Sequence, residues 1–143
     1  MKKKPALEFL ESLDENTVEA MSDLRIGCGE LADAFVEYLY GNVYQRGGLS
    51  LRERMLVTMS ALMVCGDKQP QLMTQVRIAI KNGISREDVL EIAHQLSAFV
   101  GFSTALNAMG IVNAVSESCE IESKCPPEVT TNSDEAKALS DGV

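Results

Sequence analysis

Few side chains in this 143-residue chain can do acid, base or nucleophilic chemistry. His94 is its one imidazole, the group whose ordinary pKa suits proton transfer near neutrality. Helical spacing sets it about 140° around from the apolar stripe of its own segment, on a face shared with Leu90 and Ala98 that is not purely solvent-like. The four cysteines, Cys28, Cys65, Cys119 and Cys125, are widely spaced and form no C-x-x-C pair. They therefore indicate neither a disulfide framework nor a four-ligand zinc site. Cys28 and Cys65 read as core thiols, since free cysteine is among the most buried residue types. Gln75 stands about 60° from the apolar stripe of its segment, where it can point into a lined pocket. Its amide donates and accepts hydrogen bonds but transfers no proton near neutral pH.

These residues sit on segments whose apolar period is helical. Over residues 17 to about 44, Val18, Met21, Leu24, Cys28, Leu31, Phe35, Leu39 and Val43 recur every three or four positions. That predicts one long amphipathic helix or two, weakened at Gly27, Gly29 and Gly41 and stopped at Gly47-Gly48. Ser50 and Glu53 form a capping box that starts a helix from Leu51 to about Cys65. Residues 55–65 carry no charge on any face, the pattern of a buried helix wrapped by its neighbours or by another subunit. Residues 70–82, closed by Gly83, place Leu72, Val76, Ala79 and Ile80 on one face. Ser85 and Asp88 start the next helix, with Val89, Ile92, Ala93, Leu96, Phe99 and Val100 as its inner stripe and Gly101 as its end. A last helix is expected over residues 103–116. The chain thus divides into an N-terminal extension (1–16), a helical domain (17–118) and an acidic, flexible tail (119–143) that contains Pro126-Pro127.

Composition points the same way. With 45% hydrophobic residues but only 5% aromatics and no Trp, the apolar content suits helices packed on helices in one domain. A net charge of −8 argues against a nucleic-acid partner, because binding a phosphate backbone needs a positive surface. Glu8, Glu11 and Asp14 interrupt the segment after Lys2 to Lys4, so neither an export signal nor a membrane span is expected.

Five blocks carry a more specific signal. They are Phe35-Val-Glu-Tyr-Leu-Tyr-Gly-Asn-Val-Tyr-Gln-Arg-Gly-Gly-Leu49, Leu51-Arg-Glu-Arg-Met-Leu-Val-Thr-Met-Ser-Ala-Leu62 and Val76-Arg-Ile-Ala-Ile-Lys-Asn-Gly83, followed by Ile84-Ser-Arg-Glu-Asp-Val-Leu-Glu-Ile92 and Phe99-Val-Gly-Phe-Ser-Thr-Ala-Leu-Asn-Ala108. Together, over residues 35 to 115, they resemble the carboxymuconolactone decarboxylase family and stand in that family's order. The resemblance implies a compact all-α, alkylhydroperoxidase-D-like fold, here of about six helices, in which subunits complete each other's core as a trimer or hexamer. It also implies a cytoplasmic enzyme without cofactor that acts on a small molecule: a lactone-acid decarboxylase or, in another branch, a thiol peroxidase. A binding protein that kept the oligomer and lost catalysis is the third reading.

By the same resemblance, Gln75 and Gln95 fall where the family carries catalytic groups, and Arg46, Arg54, Arg77, Phe99 and Asn107 where substrate is bound. Gln75, Gln95, Phe99 and Asn107 are expected to converge with one of the three arginines on one pocket. Since the family position matches Gln95, His94 is expected outside it as a surface or subunit-contact histidine. Two departures stand out. Gln75 occupies the place of a histidine in a Leu-His-Val-Arg block, and Phe99-Val-Gly101-Phe-Ser103 replaces Tyr-x-Gly-x-Pro, removing a phenol and a proline.

Overall fold

The computed structural model describes residues 4–124, and the regular structure in that range is all helical. The sequence left residues 1–16 unassigned as an extension, but α1 (Ala6–Leu13) forms there and buries Ala6, Leu10 and Leu13, one face at helical spacing. Asp14 then caps α2 (Glu15–Cys28), its carboxylate accepting from the Asn16 N–H at 3.3 Å. The expected long helix breaks at Gly29, whose φ of +56° and ψ of −135° suit a residue without Cβ. Beyond it, α3 (Glu30–Val36) runs directly into a π-helical stretch, Glu37–Val43.

That stretch has a sequence cause. Ala32, Val36, Tyr40 and Tyr44 are all buried, a strict four-residue repeat. On a straight α-helix such a repeat drifts by about 40° per step and would swing Tyr44 away from the core. Widening the turn to i→i+5 pairing, seen in the Tyr44 N–H donating to the Leu39 carbonyl at 2.8 Å, turns it back.

The capping box forms as expected: Ser50 Oγ accepts from the Glu53 N–H at 3.3 Å, and Glu53 Oε2 from the Ser50 N–H at 2.6 Å. It launches α4 (Leu51–Cys65). Met55, Met59 and Met63 bury one stripe of this helix, but Val57 and Val64 remain 59% and 50% exposed. Among the described residues the uncharged helix is therefore covered on one side only. Cys65 and Cys28 are exposed rather than core, because each is the last residue of its helix, where the chain turns away from the neighbours that would cover it.

Next come α5 (Gln69–Lys81), with Pro70 in its first turn, and α6 (Arg86–Val100), capped by Ser85 Oγ on the Asp88 N–H at 3.1 Å. Gly83 and Gly101 take positive φ at the ends of these two helices, as the sequence required. Phe99, expected on the inner stripe of α6, is 80% exposed because it lies about 80° around from Val89. The last helix, α7 (Phe102–Lys124), outruns the expected end at 116. The Ser116 and Ser118 hydroxyls bond back to the carbonyls of Val112 and Ala114, so these polar residues do not stop it. The tail beyond 124, with Cys125, lies outside the described residues.

Helices α4 to α7 pack on one another, and α1, α2, α3 and the π-helical stretch form a second group, joined to the first through a shared buried core and side-chain hydrogen bonds. No helix among the described residues is long and apolar enough to cross a membrane.

Candidate functional site

The two helical groups meet through two sets of buried polar side chains. The first centres on Asp14, whose side chain is fully buried. Arg77 Nε lies 3.0 Å from one carboxylate oxygen and Lys81 Nζ 2.6 Å from the other, and the Thr17 hydroxyl also donates to it. Burial pushes the Asp14 pKa up, but the hydrogen bonds from Lys81 and Thr17 and the charge of Arg77 outweigh it and hold the carboxyl below its ordinary value. Asn82 Nδ2 adds a bond to the Leu13 carbonyl at 2.9 Å. This cluster fixes the α1–α2 corner on the C-terminal end of α5.

The second set lies further along α5. Gln75 is buried, with Nε2 donating to Tyr40 Oη at 2.9 Å and Oε1 accepting from Tyr44 Oη at 3.2 Å. Tyr44 Oη is also 2.9 Å from Thr58 Oγ1. A phenol has one proton, and the amide oxygen can only accept, so Tyr44 donates to Gln75 while Thr58 donates to Tyr44. The chain of bonds then runs from Thr58 through Tyr44 and Gln75 to Tyr40, whose own proton and the second Nε2 proton of Gln75 remain to be donated. Burial pushes Tyr40 up to about 12 against the opposing bond from Gln75. Tyr44 is likewise raised by burial, partly offset by its bond to Thr58 and by Arg54. Both phenols are protonated at neutral pH and act as hydrogen-bond donors, not bases.

Tyr40, Thr58 and Gln75 form the polar wall of a cavity of about 650 Å³ between α2, α3 and the π-helical stretch on one side and α4 and α5 on the other. Its other walls are mainly apolar, with Met21, Leu31, Phe35, Leu39 and Leu62, and Cys28, Gln71 and Thr74 also border it. No charged side chain among the described residues lines it. The volume is in the range of small-molecule sites.

Of the residues expected to converge, only Gln75 borders this cavity. Arg77 is held by Asp14, and its Nη2 approaches Thr17 Oγ1 at 3.4 Å. Arg54 donates to the carbonyls of Arg46 and Gly47 at 2.9 and 3.0 Å and so braces the loop before α4, with its own Nε buried and unpartnered. Arg46 is exposed. Gln95 and Phe99 face outward on α6, and Asn107 borders a separate cavity of about 170 Å³ with Gly66 and Thr104. His94 is exposed and lies away from the main cavity. Sequence reasoning missed Tyr40, Tyr44 and Thr58. The signal for the two tyrosines is the four-residue repeat Ala32, Val36, Tyr40 and Tyr44, one position beside the stripe expected from Leu31, Phe35, Leu39 and Val43, of which Leu31 and Phe35 are exposed. Among the described residues no three His, Cys, Asp or Glu side chains cluster so as to hold a metal ion.

Comparison with known proteins agrees with the blocks read from the sequence. An uncharacterized 15.0 kDa protein of Paracoccus denitrificans is 32% identical over 81 residues, which is 56% of this chain. The match spans 60% of the length of that relative. The profile of the carboxymuconolactone decarboxylase family matches residues 29–114, from the Gly29 elbow to the middle of α7 and including every group of the cavity's polar wall. An all-α chain matched over more than half its length in this way belongs to the carboxymuconolactone decarboxylase family.

Proposed function

We propose that the protein is a cofactor-free enzyme of decarboxylase type, acting on a small, mainly apolar lactone or carboxylic acid bound in the cavity behind Tyr40 and Gln75. The observation that carries this reading is the neutral, directed chain of hydrogen bonds ending on Tyr40 at the wall of an otherwise apolar cavity. In decarboxylation the bond to the carboxylate carbon breaks, CO₂ leaves neutral, and the electron pair moves into the conjugated carbonyl as an enolate. A proton on carbon then completes the product. In this scheme the Tyr40 hydroxyl and the second Gln75 N–H donate to the enolate oxygen, where negative charge builds up in the transition state. With a pKa near 12, Tyr40 is also acidic enough to reprotonate a carbanion. Arg46, Arg54 and Arg77 are not required in this scheme, because the charge moves away from the carboxylate.

The working form we propose is a cytoplasmic homo-oligomer, a trimer or hexamer, built on the apolar surface that one protomer leaves open. Phe99, Phe102 and Leu106 are 80%, 77% and 65% exposed, and the open side of α4 adds Val57 and Val64. Light scattering at micromolar concentration should give a multiple of the protomer mass, and a monomer that keeps full helicity would overturn this assembly.

Release of CO₂ from a set of small lactone acids tests the reaction. Tyr40→Phe should lower kcat by about 10²-fold, the usual effect of removing one such donor, with little change in binding. Compounds that bind in the cavity without releasing CO₂ would favour the non-catalytic reading. The thiol reading has one observation in its favour, Cys28 at the cavity. Peroxide consumption that disappears in Cys28→Ser would replace the decarboxylase proposal.

A further inference from the structure

Tyr40 can offer its hydroxyl to a ligand only if the π-helical turn aims it, and two residues outside the cavity wall hold that turn. Gln45 is one. Its Nε2 donates to the Tyr40 carbonyl at 2.9 Å and to the Lys4 carbonyl at 2.9 Å, and its Oε1 accepts from the Lys4 N–H at 2.7 Å. A change from i→i+4 to i→i+5 pairing leaves carbonyls near the end of the turn to be met by other donors. At Tyr40 that donor is a side chain which is itself tied to the start of α1. Gly41 is the other. It is buried in the π-helical stretch, and a Cβ there would stand 3.2 Å from Ala6 Cβ and 2.9 Å from Glu37 Oε1. The Glu37 carboxylate can swing away, but Ala6 belongs to the packed face of α1, so α1 would have to move back.

We propose that Gln45 and Gly41 are positioning residues: together they seat α1 on the π-helical turn and thereby fix the Tyr40 hydroxyl against Gln75. Helix α1 lies outside the stretch matched to the family, residues 29–114. The N-terminal segment thus sets the geometry of a site that the family region supplies. The inference deepens the reading of Tyr40 as the ligand's hydrogen-bond donor, and its test needs no ligand, so it can fail while the decarboxylase reading stands.

The test follows the side-chain amide protons of Gln75 by ¹⁵N nuclear magnetic resonance in the free protein at neutral pH, with Gln75→Met identifying the signal by its loss. In the wild type the proton bonded to Tyr40 is buried and should exchange slowly, more slowly than the one available to the cavity. Gln45→Met should speed its exchange by about five- to tenfold, the factor expected when one such bond is lost. Gln45→Glu keeps the acceptor for the Lys4 N–H and removes the donor to both the Tyr40 and the Lys4 carbonyls. It should have the same effect, showing that the bond accepted from Lys4 does not hold the turn by itself. Gly41→Ala should also speed exchange, and adding Ala6→Gly should restore it by giving the new methyl room. If the Gln75 protons keep their wild-type rate in the variants, the proposal fails. It fails equally if they speed up only as much as the slowest backbone amides of α4 and α7, since that is general loss of stability.

Discussion

The charged cluster around Asp14 and the neutral chain around Gln75 join the same two groups of helices, and both use α5. Arg77 and Gln75 are two residues apart, about 200° around the helix axis, so one helix presents a salt bridge on one side and an amide on the other. At Asp14 every strong charge has a partner within 3.0 Å, and the cluster lies away from the main cavity. At Gln75 each group is neutral and partnered, and the end of the chain borders a cavity of about 650 Å³. A buried ion pair has a fixed geometry and is costly to disturb, which suits a joint. A row of protonated phenols and an amide can face an empty apolar space without a stranded charge, and still concentrate donors where an oxyanion would form. Charge therefore holds the layers together, and neutral dipoles border the cavity.

The largest effect should follow from breaking the charged side of this comparison. Asp14→Asn keeps the shape but leaves Arg77 and Lys81 without their carboxylate. Removing one partner of a fully buried pair costs about 3–5 kcal/mol. Because Arg77 and Lys81 are 28% and 31% exposed and can turn toward water, about 2 kcal/mol is expected here, as a lower urea midpoint with unchanged slope. The pH dependence sharpens the point. The folded pKa of Asp14 lies below its unfolded value of about 3.9, so the stability it contributes is present above that pH and is lost as pH falls through the lower folded value. Asp14→Asn should flatten the fall in melting temperature in that acid window. A variant with the wild-type acid profile would mean that another carboxylate governs it.

The neutral chain should cost less to break. Gln75→Met removes the link between two buried phenols and leaves hydroxyls to find partners in or near the cavity, a loss of about 1–2 kcal/mol with no change in the acid window. Any flattening of the acid profile by Gln75→Met would show that the two clusters are coupled.

How much of this the sequence made legible depended on whether the cause was local. The capping box at Ser50 and Glu53, the glycine stops at 83 and 101 and the span of α4 are decided by neighbouring residues, and each appears where expected. The break at Gly29 was readable only as a weak point, because a glycine permits a positive φ without requiring one. Helix α1 was passed over because eight residues give too short a pattern to stand out. Gln75 was legible as a residue at the edge of an apolar stripe. Its partners were not, since Tyr40, Tyr44 and Thr58 come together only through the π-helical turn and the packing of α3 toward α4 and α5. The arginines misled for a related reason: sequence shows a cation but not the carboxylate or carbonyl that will occupy it, and Asp14 lies 63 positions from Arg77.

The smallest effect should come from the far end of the neutral chain. Thr58→Val is nearly isosteric and removes one hydroxyl that donates to Tyr44 at 2.9 Å. Tyr44 keeps its bond to Gln75 Oε1, so the direction of the chain and the donors at Tyr40 are unchanged. Thr58 is only half-buried, and the valine methyl would face a cavity that is already mainly apolar. The net cost should be about 0.5–1 kcal/mol, that of one hydrogen bond with no group left stranded. Because the bond from Thr58 pulls the Tyr44 pKa down, losing it should raise that phenol further and leave it protonated at neutral pH. CO₂ release should then stay within about twofold of wild type, because no donor to the enolate is lost. A loss above about 2 kcal/mol would mean that Tyr44 had been left unsatisfied. The proton order would then run the other way, from Tyr40 to the oxygen of a turned Gln75 amide, from its nitrogen to Tyr44 and on to Thr58, and Tyr40 would face the cavity without a free donor.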